Sequence, residues 1–237
     1  MADQKNEGLL KQTKLAVSAG VATLRRDGPV TFAVETARFL KRGGKFDTYT
    51  DSRIDNESRW ELIAPYIEED DKIALDIGCA EGYFTRKLAE QGLYAIGIDK
   101  RASVESAQTR TASNASLEYK RMTVTPDNIE ELPPTDITLL LTVIHWWHRN
   151  FGAEQSESMF RTVASKTDII VFEPPGESVE TDTVSEADDP TPERYWTEYV
   201  DNVLEGSADI KYLGMTDYMD KDRRDPLFII DTSTYQK

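Results

Sequence analysis

The residues from Ile73 to Asp99 constrain this chain more than any others. Ile73-Ala74-Leu75-Asp76-Ile77 is an apolar run of the kind that fills a buried parallel strand. It ends in Gly78-Cys79-Ala80-Glu81-Gly82, a Gly-x-x-x-Gly turn. Phe84 to Glu90 follows with a helical pattern that Gly92 stops. Tyr94-Ala95-Ile96-Gly97-Ile98 then reads as a second buried strand, closed by Asp99, 21 residues after Gly78. This is the layout of a nucleotide site: glycines let a ligand approach the backbone, and an acid about 20 residues on holds ribose hydroxyls.

Phosphate chemistry does not fit that turn. The G-x-G-x-x-G fingerprint is absent, because positions 80 and 83 are Ala and Tyr, and no Gly-Lys-Ser/Thr follows. Asp76-x-Gly78-Cys79-x-x-Gly82 instead resembles the first motif of class I S-adenosylmethionine methyltransferases, and Asp99 resembles their ribose-binding acid. Ala80 departs from the glycine that many members carry there. The resemblance covers roughly residues 55 to 237. It implies an α/β fold, a seven-stranded, mostly parallel, doubly wound Rossmann-like sheet with a C-terminal antiparallel strand, and S-adenosylmethionine as cofactor. Acidic flanks at Asp76 and Glu81 suit an ammonium and a sulfonium better than a pyrophosphate.

Downstream elements follow in the expected order. Ser103 to Ala112 reads as a helix, Leu117 to Val124 as strand three, and Thr125 to Pro133 as a loop. The resemblance implies an adenine contact in that loop, with Asn128 first choice and Asp127 second; a plain acidic surface turn is the competing reading. Asp136 to Leu141 reads as strand four and runs into Thr142-Val143-Ile144-His145-Trp146-Trp147-His148-Arg149-Asn150. Ligands in open α/β sheets sit beyond the carboxyl ends of the central strands. Both histidines of the chain and two of its four tryptophans fall in this stretch. His145 is the candidate base for a hydroxyl acceptor, and Trp146 is a candidate to face the sulfonium by cation–π attraction. A packing role for each residue singly is the competing reading. The stretch from Trp146 to Asn150 faintly resembles small-RNA phosphate-capping methyltransferases.

Glu154 to Ser165 reads as a helix and Asp168 to Phe172 as strand five, ending in Glu173-Pro174-Pro175, where the family often places acceptor-binding groups. Glu177 to Asp189 is an acidic loop. Pro192 to Val203 reads as a helix, and Ile210 to Leu213 and Pro226 to Ile230 as two closing strands. The expected cofactor residues are Asp76, Gly78, Cys79, Ala80, Glu81, Gly82, Asp99, Asp127, Asn128 and Thr142. Those expected for the acceptor are Trp146, His148, Arg149, Glu173 and Arg194. No metal is expected: the one cysteine, Cys79, excludes a Cys-rich site and an internal disulfide, and reads as a small packing residue.

Residues 1–45 differ from the main domain, 46–237. They hold nine basic and four acidic side chains, a net of +5, so the remainder carries −20 of the overall −15. Two basic amphipathic helices over residues 9–42 are expected, separated at Asp27-Gly28-Pro29. They predict a dock on a membrane surface or on an acidic partner, with a cap packed on the acidic body as the competing reading. The acidity disfavours nucleic acid as partner and matches a haloarchaeal origin. No signal peptide is visible, so a cytoplasmic protein is expected. The segment Arg25 to Phe32 and the helix after it resemble extensions of enzymes in archaeal surface-glycan pathways. That resemblance implies a glycan or lipid-linked sugar acceptor, with the carboxylate of a hexuronic acid as methyl acceptor in protein N-glycosylation. RNA or small-molecule O-methylation, and a non-catalytic S-adenosylmethionine-binding module, are the alternatives.

Overall fold

Seven strands form one sheet in the order β3-β2-β1-β4-β5-β7-β6. The computed structural model describes residues 56–68, 72–110, 114–176, 191–217 and 224–235. In chain order the elements are α1 (Asn56–Ile63), a 3₁₀ turn (Ala64–Tyr66), β1 (Ile73–Ile77), α2 (Tyr83–Glu90), β2 (Tyr94–Asp99), α3 (Ser103–Arg110) and β3 (Leu117–Arg121). A second 3₁₀ turn (Ile129–Glu131) precedes β4 (Thr135–Leu141), α4 (Ile144–Lys166), β5 (Thr167–Glu173), α5 (Pro192–Val203), β6 (Asp209–Asp217) and β7 (Arg224–Asp231).

Strands β1 to β5 are mutually parallel; β7 lies antiparallel between β5 and β6. The expected α/β architecture with its antiparallel C-terminal strand is therefore observed. The two expected N-terminal helices, the proposed membrane contact through residues 9–42 and the acidic 177–189 loop lie outside the described residues.

Period-two alternation sends side chains to both faces, and both faces are covered, which is why these strands read as near-continuous apolar runs. Leu75, Ile77, Ile170 and Phe172 pack on Met159 and Phe160 of α4 and on Trp196 and Val200 of α5. Ala74, Leu139, Val171 and Ile229 face the other way, against Trp60 and Ile63 of α1 and Leu88 of α2. Each large apolar side chain fully buried here contributes about 1.5–3 kcal/mol.

The largest departure from the sequence reading is α4. Its second segment, after Gly152, matches the expected helix from Glu154 to Ser165; what the sequence reading missed is a first segment starting at Ile144, so the His-Trp stretch is helical. Gly152, at φ 79° and ψ 171°, breaks it internally. That break separates the first two turns from the long packed segment and hides their continuity in the sequence. The helix perturbed near Pro65 is observed as α1 running into its 3₁₀ turn. At the sheet's other end, the carboxyl ends of β1, β2 and β4 converge, and the site is built there.

Candidate active site

The β1–α2 turn is made by three consecutive demands on the backbone. Gly78 sits at φ +81° and is exposed; a Cβ there would lie 2.8 Å from Cγ2 of Val143. Ala80 is held in the left-handed region at φ 51°. Gly82 sits at φ +74°, and a Cβ there would fall 2.3 Å from the Tyr119 hydroxyl oxygen. The turn is pinned to the neighbouring strand: the amides of Gly78 and Cys79 both donate to the Ile98 carbonyl, at 2.7 and 3.1 Å.

Asp99 closes β2 beside this turn and is largely buried. Its Oδ2 accepts from the Ala80 amide at 2.9 Å and its Oδ1 from the Arg101 amide at 2.8 Å. Each oxygen keeps a further lone pair for a ligand hydroxyl. Ser103 Oγ donates to the Ala80 carbonyl at 3.2 Å and fixes the turn from the other side. Under it, buried Asp76 accepts from Thr85 Oγ1 at 2.7 Å. Burial pushes the Asp76 carboxyl up from 3.8 to about 6, with nearby Asp99 adding to the shift and the Thr85 hydrogen bond opposing it. Cys79 is buried beside Val104, Ala107 and Tyr119, and that burial holds its thiol far above its usual range.

The opposite rim is the β4–α4 bend. Thr142 adopts φ 56° and donates its amide to the Glu173 carbonyl at 2.7 Å. His145 is half-buried, its ring 5.4 Å from that of Trp146. Trp146 is 41% exposed. Its cation partners are the chain's own: Lys100 Nζ lies 4.9 Å and Arg149 Cζ 5.2 Å from the ring centroid. The ring expected to meet a sulfonium is therefore already matched by two side-chain cations. Among the described residues neither cation pairs with a carboxylate.

Other expected residues serve the scaffold. Glu173, expected to face an acceptor, has no exposed surface; Arg59 and Thr216 engage its carboxylate. His148 is turned toward α5, where its Nε2 lies 3.1 Å from the Tyr199 hydroxyl, and burial lowers its pKa. Arg194 bonds Glu198 one turn along its own helix at 2.8 Å. Both ends of the Asn128 amide close its own loop, Oδ1 accepting from the Thr125 amide at 2.8 Å and Nδ2 donating to the Thr123 carbonyl at 2.9 Å. Asp127, the second choice, is exposed beside it. Glu81 keeps its carbonyl on Arg86 at 2.9 Å. The sequence reading missed Thr85, Lys100, Ser103 and Tyr119. Of these, only Lys100, directly after Asp99, carried a signal in its position.

Residues 75–166 match the Methyltransf_12 family, described as a methyltransferase domain. That match runs from Leu75 of β1 to Lys166 at the end of α4, the part of the chain that holds the glycine turn, Asp99 and the β4–α4 bend. Solved structures share its fold. WbdD, a bifunctional kinase-methyltransferase, superposes with a TM-score of 0.61 at 21% identity, over 76% of this chain and 41% of that one. Magnesium protoporphyrin IX methyltransferase from Synechocystis PCC 6803, solved with bound SAM, gives 0.51 at 18% identity, over 75% and 76%. EvdMO1 gives 0.51 at 15%, over 74% and 39%. The chain thus spans well under half the length of WbdD. No curated protein sequence matches it. No described helix is long and apolar enough to cross a membrane.

The residues gathered here fit S-adenosylmethionine as cofactor. Gly78 leaves its face of the turn open, Asp99 offers one lone pair per oxygen to a ribose diol, and Asp76 lies under the turn where an amino-acid ammonium would dock. When bound, S-adenosylmethionine supplies a methyl group on a sulfonium. The raised Asp76 pKa gives a pH dependence with a definite sign. The fold favours the neutral carboxyl, so Asp76 adds stability below the unfolded pKa and loses that contribution as pH rises through about 6. An ammonium ligand favours the ionised form instead. Affinity for S-adenosylhomocysteine, measured by calorimetry, should therefore rise about tenfold between pH 5 and 7, following the ionised fraction. Asp76→Asn should flatten that profile.

Proposed function

We propose that this methyltransferase domain transfers a methyl group to an acidic sugar, the carboxylate of a hexuronic acid on a lipid-linked oligosaccharide of the kind assembled in archaeal protein N-glycosylation. The observation that supports this is the ledge of Lys100, Trp146 and Arg149. Two cations with no acidic partner among the described residues flank one exposed indole, Lys100 standing directly after Asp99, in a chain of net charge −15. Such an arrangement attracts a carboxylate against the prevailing field, and the indole offers an apolar plane beside it.

A carboxylate is already a nucleophile, so the protein's task is orientation and desolvation. Lys100 and Arg149 hold one carboxylate oxygen while the other attacks the methyl carbon. The carbon–oxygen bond forms as the carbon–sulfur bond breaks, its electron pair stays on sulfur, and the products are a methyl ester and S-adenosylhomocysteine. His145 then needs no proton transfer; for a hydroxyl acceptor it would take the proton. In this reading the protein works in the cytoplasm, at the membrane face where lipid-linked sugars are built.

Tritiated S-adenosylmethionine with methyl β-D-glucuronide tests the reading directly. Transfer to the glucuronide and none to the matching neutral glucoside is expected. Lys100→Ala and Arg149→Ala should each lower kcat/KM about tenfold through KM, as the loss of one exposed charge-assisted contact implies. Equal labelling of both sugars would overturn it. Mass spectrometry of surface glycans from a strain lacking the protein should show one methyl increment missing.

A further inference from the structure

Glu173 ends β5 with both carboxylate oxygens taken. Arg59 of α1 donates to Oε2, and Thr216 of β6 donates to Oε1 at 2.6 Å. Asn56 accepts from the other terminal nitrogen of Arg59 at 3.0 Å, and the guanidinium lies 4.7 Å over the Phe84 ring. One carboxylate therefore ties together three elements remote in sequence. The same residue's carbonyl accepts from the Thr142 amide at 2.7 Å.

Thr142 is β-branched and held at φ 56°, a conformation that persists only where the surroundings impose it. The next residue, Val143, sets its Cγ2 2.8 Å from the point where a Cβ on Gly78 would stand. The bend is thus a wall of the cofactor turn. A buried ion pair is a weak source of net stability compared with an apolar pair of the same volume. What it does well is fix a geometry, through directional bonds in a low dielectric.

We infer that Glu173 is a positioning residue of the cofactor pocket: its clamped carboxylate fixes the strand end whose carbonyl holds the Thr142–Val143 bend against Gly78. The inference rests on the methyltransferase reading only for the ligand's identity.

Glu173→Gln tests it, since the amide keeps the shape and an acceptor for Thr216 but loses the charge. Two quantities are read on the full chain: hydrogen exchange of the Thr142 amide by NMR and S-adenosylhomocysteine affinity by calorimetry. Exchange at Thr142 should speed up at least tenfold and affinity should fall about tenfold. Leu93→Ala, a core truncation just before β2 at the far end of the sheet, should leave both at wild-type values despite its cost in stability. If Glu173→Gln fails to fold, Arg59→Lys replaces it, with the same direction and smaller changes. Wild-type values of both quantities in the Glu173 or Arg59 variant, or matching losses in Leu93→Ala, would overturn the clamp. A wild-type protein that binds no S-adenosylhomocysteine would overturn the cofactor reading, while Thr142 exchange would still decide the clamp.

Discussion

Asp99→Ala is expected to weaken S-adenosylhomocysteine binding about a hundredfold. A carboxylate placed here would meet a ribose through charge-assisted hydrogen bonds worth about 1.5–3 kcal/mol each, and a loss of about 3 kcal/mol is roughly two orders of magnitude in Kd. The same side chain also organises its surroundings, because it accepts from the amides of Ala80 and Arg101. Losing it leaves the Ala80 amide without its partner in a turn already held in the left-handed region. Asp99→Asn separates the two effects. It keeps one carbonyl oxygen and the packing, so about a tenfold loss is expected. Calorimetry on both variants reads the difference; an alanine variant that binds within threefold of wild type would remove Asp99 from the site.

The second large effect falls on stability. Arg59→Ala should lower the free energy of unfolding by about 3–5 kcal/mol, the range for breaking a buried pair and leaving one charge behind. Arg59 is 2% exposed and Glu173 0%, so neither water nor salt screens the loss. Removing both charges with Arg59→Met and Glu173→Leu should recover most of that loss, because no charge then stays buried. Urea denaturation followed by tryptophan fluorescence measures both variants. A single variant that loses less than about 1 kcal/mol would mean that Glu173 finds another partner.

The sheet was legible in the sequence because its strands are bounded apolar runs, and the glycine turn because three residues there have few alternatives. Asp99 stands out in the sequence because it closes the second apolar run 21 residues after Gly78, and the structure sets it beside the turn, where it accepts from the Ala80 amide. The rim opposite was harder. Trp146 was conspicuous, but Lys100 comes to it from just beyond the end of β2, and no spacing rule links the two. Arg59 and Glu173 are 114 positions apart, and the sequence reads Glu173 toward an acceptor and gives Arg59 no partner. Only the closed sheet shows that they meet in the interior. Asn128 was placed in its loop correctly, yet the loop's own amides and carbonyls compete for its side chain, and that competition is invisible before the backbone is known. Gly152 gives no signal of its own: a single glycine does not say whether a helix ends or resumes, and the structure makes it the non-helical joint between two helical segments.

The Tyr119 ring fills the volume that any side chain on Gly82 would need, with its hydroxyl 3.3 Å from the Gly82 carbonyl. These two positions, on different secondary-structure elements, therefore share one space, and neither can change size independently. Among homologous sequences, an alanine or serine at position 82 should coincide with a residue smaller than tyrosine at position 119. A chain that keeps the tyrosine should keep the glycine.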